Sequence, residues 1–87
     1  MTDQQCYNVA EVLTHNKDYI KSKLTPYYIK ARAMPRNDAI LYMEDMLKYQ
    51  LADLCKYPLT DIDYAFGDER VKIVISRLFL KEFYYEH

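Results

Sequence analysis

Glycine occurs once in these 87 residues, at Gly67, proline three times, and tryptophan not at all. A single glycine excludes the phosphate-cradling loops that need several, so neither a P-loop nor a dinucleotide-binding fingerprint can form. Long apolar runs are also missing. Tyrosine aside, none exceeds three residues, as at 73–75 and 78–80, against the ~20 that a membrane-spanning helix requires. The opening MTDQQCYNVAEV has neither the basic stretch nor the apolar core of a secretory leader, and no asparagine lies in an N-x-S/T acceptor. The expected location is the cytoplasm. Cysteine is scarce too: Cys6 and Cys55 stand 49 positions apart with no CxxC pair, which fits free thiols better than a zinc site or a disulfide framework.

What is present is apolar and aromatic. Hydrophobic residues make up 51% of the chain, but ten of them are tyrosines, so tyrosine has to help build the interior. A chain of this size buries only about 60 to 65% of its unfolded surface, which leaves little spare stability and room for a single domain spanning residues 1–87.

The apolar spacing is helical. Thr2 and Gln5 match a capping box, and Cys6, Val9, Ala10 and Leu13 follow at i, i+3, i+4 and i+7, so residues 3–15 read as a helix closed by Asn16. A second pattern runs from Asp18 through Leu24 to Thr25-Pro26, where a kink or restart is expected before residues 27–34. Asn37 then offers a cap for the longest helix, residues 38–55, with a seam of Ile40, Met43, Leu47, Leu51 and Leu54. Tyr57-Pro58 breaks it. Thr60 starts a short helix that Gly67 closes in the left-handed conformation, and Asp68 caps a final helix carrying Val71, Ile75, Phe79 and Phe83. The expected fold is a small all-α bundle of four to five helices. Alternation at Ile62, Tyr64, Phe66 and again at Val71, Ile73, Ile75 keeps a β-hairpin near residues 61–75 open as an alternative, making the fold α+β.

Catalytic signatures are not found: there is no HExxH, EF-hand loop or GxSxG. Nucleophile and base would have to come from Cys6 or Cys55 with His15 or His87. On one helix, Cys6 and His15 lie about 13 Å apart along the axis, too far to pair. The acidic pairs Glu44-Asp45, Asp61-Asp63 and Asp68-Glu69 read as helix caps and wet faces. No metal, cofactor or enzymatic activity is expected. A helix-turn-helix over residues 50–64 fails on charge, because its second helix would carry Asp61 and Asp63 and no cation.

Charge is distributed unevenly although the net value is only −1. Residues 17–36 hold Lys17, Lys21, Lys23, Lys30, Arg32 and Arg36 against Asp18 alone, while residues 37–69 hold eight acids against Lys48 and Lys56. Two functional expectations follow. The first is a non-enzymatic module that binds a protein partner, or a second copy of itself, through Tyr42, Met46 and Tyr49, which form a second stripe on the long helix. The second is binding of nucleic acid or a phosphate ligand through Lys21, Lys23, Tyr27, Tyr28, Lys30 and Arg32, where cations lie beside aromatic rings. In size, glycine poverty and lack of catalytic signatures the chain is similar to many phage-borne and plasmid-borne inhibitors and adaptors, a compositional likeness that assigns no residues.

Overall fold

The computed structural model describes residues 2–84. Six α-helices follow one another: α1 (Asp3–His15), α2 (Lys17–Ala31), α3 (Arg36–Cys55), α4 (Leu59–Ala65), α5 (Glu69–Val74) and α6 (Lys81–Tyr84), with a π-helical turn, Ile75–Phe79, between the last two. There is no strand among the described residues. The stretch open to a hairpin reading forms α4 and α5 instead, so the all-α fold is the one adopted. No helix of the described residues is long and apolar enough to cross a membrane.

Helix α1 starts and stops on its local signals. The Gln5 N–H donates to Thr2 Oγ1 at 3.2 Å and the Thr2 N–H donates to Gln5 Oε1 at 2.8 Å, which satisfies two otherwise orphaned donors. At the other end both the backbone N–H and the side-chain amide of Asn16 donate to the Val12 carbonyl. Cys6, Val9 and Leu13 form its buried stripe.

Helix α2 does not break at Pro26. It runs continuously, with Ile20, Leu24, Tyr28 and Ala31 buried. Pro26 itself is exposed, so its missing N–H falls on the wet side. Thr25, rather than capping a new helix, donates its hydroxyl to the Lys21 carbonyl at 3.1 Å, a back-bond that accommodates a threonine inside a helix. Packing of the buried stripe outweighs the local helix-breaking signal.

Helix α3 begins two residues before the expected Asp38. Pro35 occupies the cap in an extended conformation, and its carbonyl accepts the Ala39 N–H at 2.9 Å. The buried stripe is Ala39, Met43, Leu47 and Leu51, with Ile40 and Leu54 half-buried beside it. Lys56 closes the helix with φ 58°. The left-handed residue is thus a lysine, whereas Gly67 has a negative φ, contrary to expectation. Gly67 serves by close approach: a Cβ there would lie 3.3 Å from the Tyr64 carbonyl oxygen, which accepts the Gly67 N–H at 3.0 Å.

The expected final helix is divided. Asp68 caps α5 by accepting the Arg70 N–H at 2.9 Å, but the Leu80 N–H then donates to the Ile75 carbonyl, a π-type bond, and Leu80 leaves helical geometry at φ −118°. Division explains why the described residues form six α-helices rather than four or five. Val71, Ile75 and Phe79 are buried at intervals of four, and then the neighbours Leu80 and Phe83 are buried too. A continuous α-helix turns about 100° per residue, so it would point Leu80 away from the stripe; the widened turn and the break bring both Phe79 and Leu80 inward.

The six helices enclose one apolar core. Helix α2 packs most extensively on α3, and α1 on α5. Three long-range polar attachments fasten the last segment to the α2–α3 corner. The Tyr28 hydroxyl donates to the Phe79 carbonyl at 2.7 Å, Arg32 donates to both carboxylate oxygens of Glu82 at 2.9 and 3.0 Å, and Arg36 donates to the carbonyls of Phe83 and Tyr84 at 2.6 and 2.9 Å.

Candidate functional site

The stripe expected on α3 divides by depth. Tyr42 and Met46 are half-buried and pack against the core, while Tyr49 is 56% exposed. The Tyr42 ring meets Tyr27 edge-on, with centroids 6.2 Å apart, and Lys30 Nζ lies 5.6 Å from the Tyr42 centroid. Tyr42 thus bridges the core and the surface of the α2–α3 pair.

Two residues missing from the sequence-based selection join Tyr49. Leu41 is 63% exposed and precedes it by eight positions on α3, with Asp45 midway, so the three share one face. Leu59, at the start of α4, is 43% exposed and with Asp45, Lys48, Tyr49 and Asp63 surrounds a depression of about 180 Å³. Its rim is ordered by the ion pair of Lys48 and Asp63 at 3.1 Å, and Lys48 Nζ also lies 5.4 Å from the Phe66 ring centroid. The signal for Leu41 was present: it falls outside the 39/43/47/51 stripe of its own helix. Leu59 follows a proline at a helix start, and only the fold brings it beside Tyr49.

The basic-aromatic set separates onto two faces because α2 is unbroken. Lys23, Tyr27 and Lys30 lie on one, with Lys23 Nζ 5.5 Å from the Tyr19 ring centroid and Lys30 against Tyr42. Lys21, Tyr28 and Arg32 lie on the other, towards the last segment. Tyr28 is only 8% exposed, its hydroxyl is bonded, and the Arg32 guanidinium sits 5.9 Å from its ring centroid. Burial, reinforced by the Glu82 carboxylate and partly opposed by Arg32, pushes its hydroxyl pKa up to about 12. The Tyr28 ring is therefore part of the interior and offers no open face on which a base could stack.

Of the groups considered for catalysis, Cys6 is buried in the core and Cys55 half-buried, both as free thiols. Burial raises both thiol pKa values, chiefly for Cys6 and solely for Cys55, which disfavours the nucleophilic thiolate. His15 Nε2 contacts the Glu11 carboxylate at 2.7 Å on the surface, and His87 lies outside the described residues. Among the described residues no three His, Cys, Asp or Glu side chains converge as metal ligands. Asp68 is a helix cap whose carboxyl pKa is lowered, mainly by its side-chain bond with Arg70.

No protein-family model matches this sequence, and no curated protein or solved structure is significantly similar to it. The arrangement is thus read from its own chemistry: an exposed apolar row on α3 and α4, edged by Asp45 and Asp63.

Proposed function

We propose that this protein is a non-enzymatic, cytoplasmic interaction module that binds a protein partner through the outer face of α3 and the start of α4. The observation that carries this reading is the exposure of Leu41, Tyr49 and Leu59, at 63%, 56% and 43%, on one side of a domain whose other large aliphatic side chains mostly line the core. Tyrosine gives a large contact area at small entropic cost, and leucines beside it supply the apolar centre typical of binding surfaces. Asp45 and Asp63 border the row, which suits a partner with an apolar patch rimmed by lysine or arginine. Tyr42 and Met46, half-buried on the same helix, pack against the core. A second copy is a partner of the same kind, since the basic residues of α2 supply the complementary charge.

The test compares the wild-type chain with Leu41→Ser combined with Tyr49→Ser, in affinity capture and in light scattering. The variant keeps helical circular dichroism and loses the captured protein, or the oligomer, that the wild type holds. Identical captured proteins and identical solution masses for the two chains would refute this reading.

A further inference from the structure

Lys21 of α2 and Arg32, which caps its C-terminus, face Arg77 of the π-turn and Lys81 of α6 across a cleft of about 370 Å³. Four cations line this cleft against a single carboxylate, Glu82, in a chain whose net charge is −1. That carboxylate is already engaged, since both of its oxygens accept from Arg32. Lys21, Arg77 and Lys81 make no ion pair among the described residues. No ion pair among the described residues relieves their mutual repulsion, and an entering anion would relieve it.

The cleft is also built on fixed walls. Tyr28 hydrogen-bonds the Phe79 carbonyl across its floor, which ties α2 to the π-turn. Helical π-turns recur at functional sites, where the extra residue re-aims side chains; here the turn contains Arg77. Sequence inspection places Arg77 and Lys81 on the polar strip of the last segment but has no means of joining them to Lys21, more than fifty residues earlier.

Size and chemistry define the occupant. A volume of about 370 Å³ is near the lower end of small-molecule sites, which span ~300–1,000 Å³. The aromatic side chains in the lining, Tyr28 and Phe79, are buried, so recognition rests on charge rather than base stacking. We propose that this cleft binds a short oligophosphate chain, either free or carried by a nucleotide. Its cations would hold the phosphate oxygens by charge-assisted hydrogen bonds, with Arg32 exchanging part of its contact with Glu82 for the ligand. The site shares no residue with the α3 face and stands independently of the partner-binding reading.

The test is a nuclear magnetic resonance titration of the isotope-labelled full chain, in magnesium-free buffer, with tripolyphosphate and separately with ATP. Saturable shifts centred on Lys21, Arg32, Arg77 and Lys81 are expected with both. Equal affinities mean that the phosphates alone are read, and tighter binding of ATP means that the nucleoside contributes. Arg77→Gln combined with Lys81→Gln, both exposed positions, weakens binding at least about tenfold, as expected for two lost charge-assisted contacts. Lys23→Gln combined with Lys30→Gln, on the other face of α2, changes it by less than about twofold. Absence of saturable shifts overturns the proposal. So does equal weakening by the two double variants, which means diffuse attraction, or a response to a single-stranded oligonucleotide with none to tripolyphosphate, which means an extended track.

Discussion

Helices α1 to α3 and the segment from residue 59 to 84 both bury apolar side chains, yet they hold their shape by different means. The first three helices have 13, 15 and 20 residues, and each carries a regular stripe that settles its orientation once it touches its neighbours. The last segment is built of helices of seven, six and four residues, too short to be stable alone. Its polar attachments to Tyr28, Arg32 and Arg36 reach back 51, 50 and 47 residues. Long helices here are organised by periodicity, and short ones by what grips them from outside.

The largest expected effect is on the shared core. Leu47 is fully buried at the centre of α3, and Leu47→Ala should cost ~2–5 kcal/mol from lost transfer energy and the cavity left behind. Chemical denaturation followed by circular dichroism should show both regions losing stability together; a shift confined to residues 59–84 would break the contrast.

Arg36→Ala should separate the regions. It removes the donors to the Phe83 and Tyr84 carbonyls, and bonds from a charged donor of this kind contribute about 1.5–2 kcal/mol. Hydrogen exchange should quicken in α6 and the π-turn while α1 keeps its protection. Uniform loss of protection would mean that the last segment is no less autonomous than the first three helices.

The smallest effect sharpens the comparison through pH. Tyr28→Phe removes the bond to Phe79 and should cost about 1 kcal/mol at neutral pH. The folded-state pKa of Tyr28, about 12, lies above the ordinary value of 10.0, so the neutral hydroxyl is the form that folding favours. Its contribution is complete below pH 10 and is lost as pH rises from about 10 towards about 12. Stability against pH should therefore fall less steeply for Tyr28→Phe than for wild type across that window, and the tyrosinate absorbance of wild type should show a late-titrating component that Tyr28→Phe removes. Parallel curves for the two chains would remove Tyr28 from the clamp.

Legibility in the sequence follows the same division. The bounds of α1 can be read from Thr2, Gln5 and Asn16 because every bond that fixes them lies within four residues. The course of α2 through Pro26 cannot, since it depends on Leu24 and Tyr28 finding partners elsewhere in the chain. Likewise nothing local to Leu78-Phe79-Leu80 says that two adjacent residues both face inward; that is decided by the space between α2 and α3. On the surface, the α3 row was half legible: Tyr49 stands out by residue type and Leu41 by lying outside the apolar seam of its helix, whereas Leu59 joins them only through the fold. The basic strip on α2 was visible as composition, but its separation onto two faces required an unbroken helix.

The reach of the Tyr28, Arg32 and Arg36 attachments bears on how the chain is made. The ribosome delivers α1, α2 and α3 before the residues that complete the core, so a nascent chain has an unfinished interior until Phe79, Leu80 and Phe83 emerge. Folding of this domain therefore waits until residues 79–83 have left the ribosome, and a chain truncated before them leaves an incompletely lined interior for chaperones and proteases to meet.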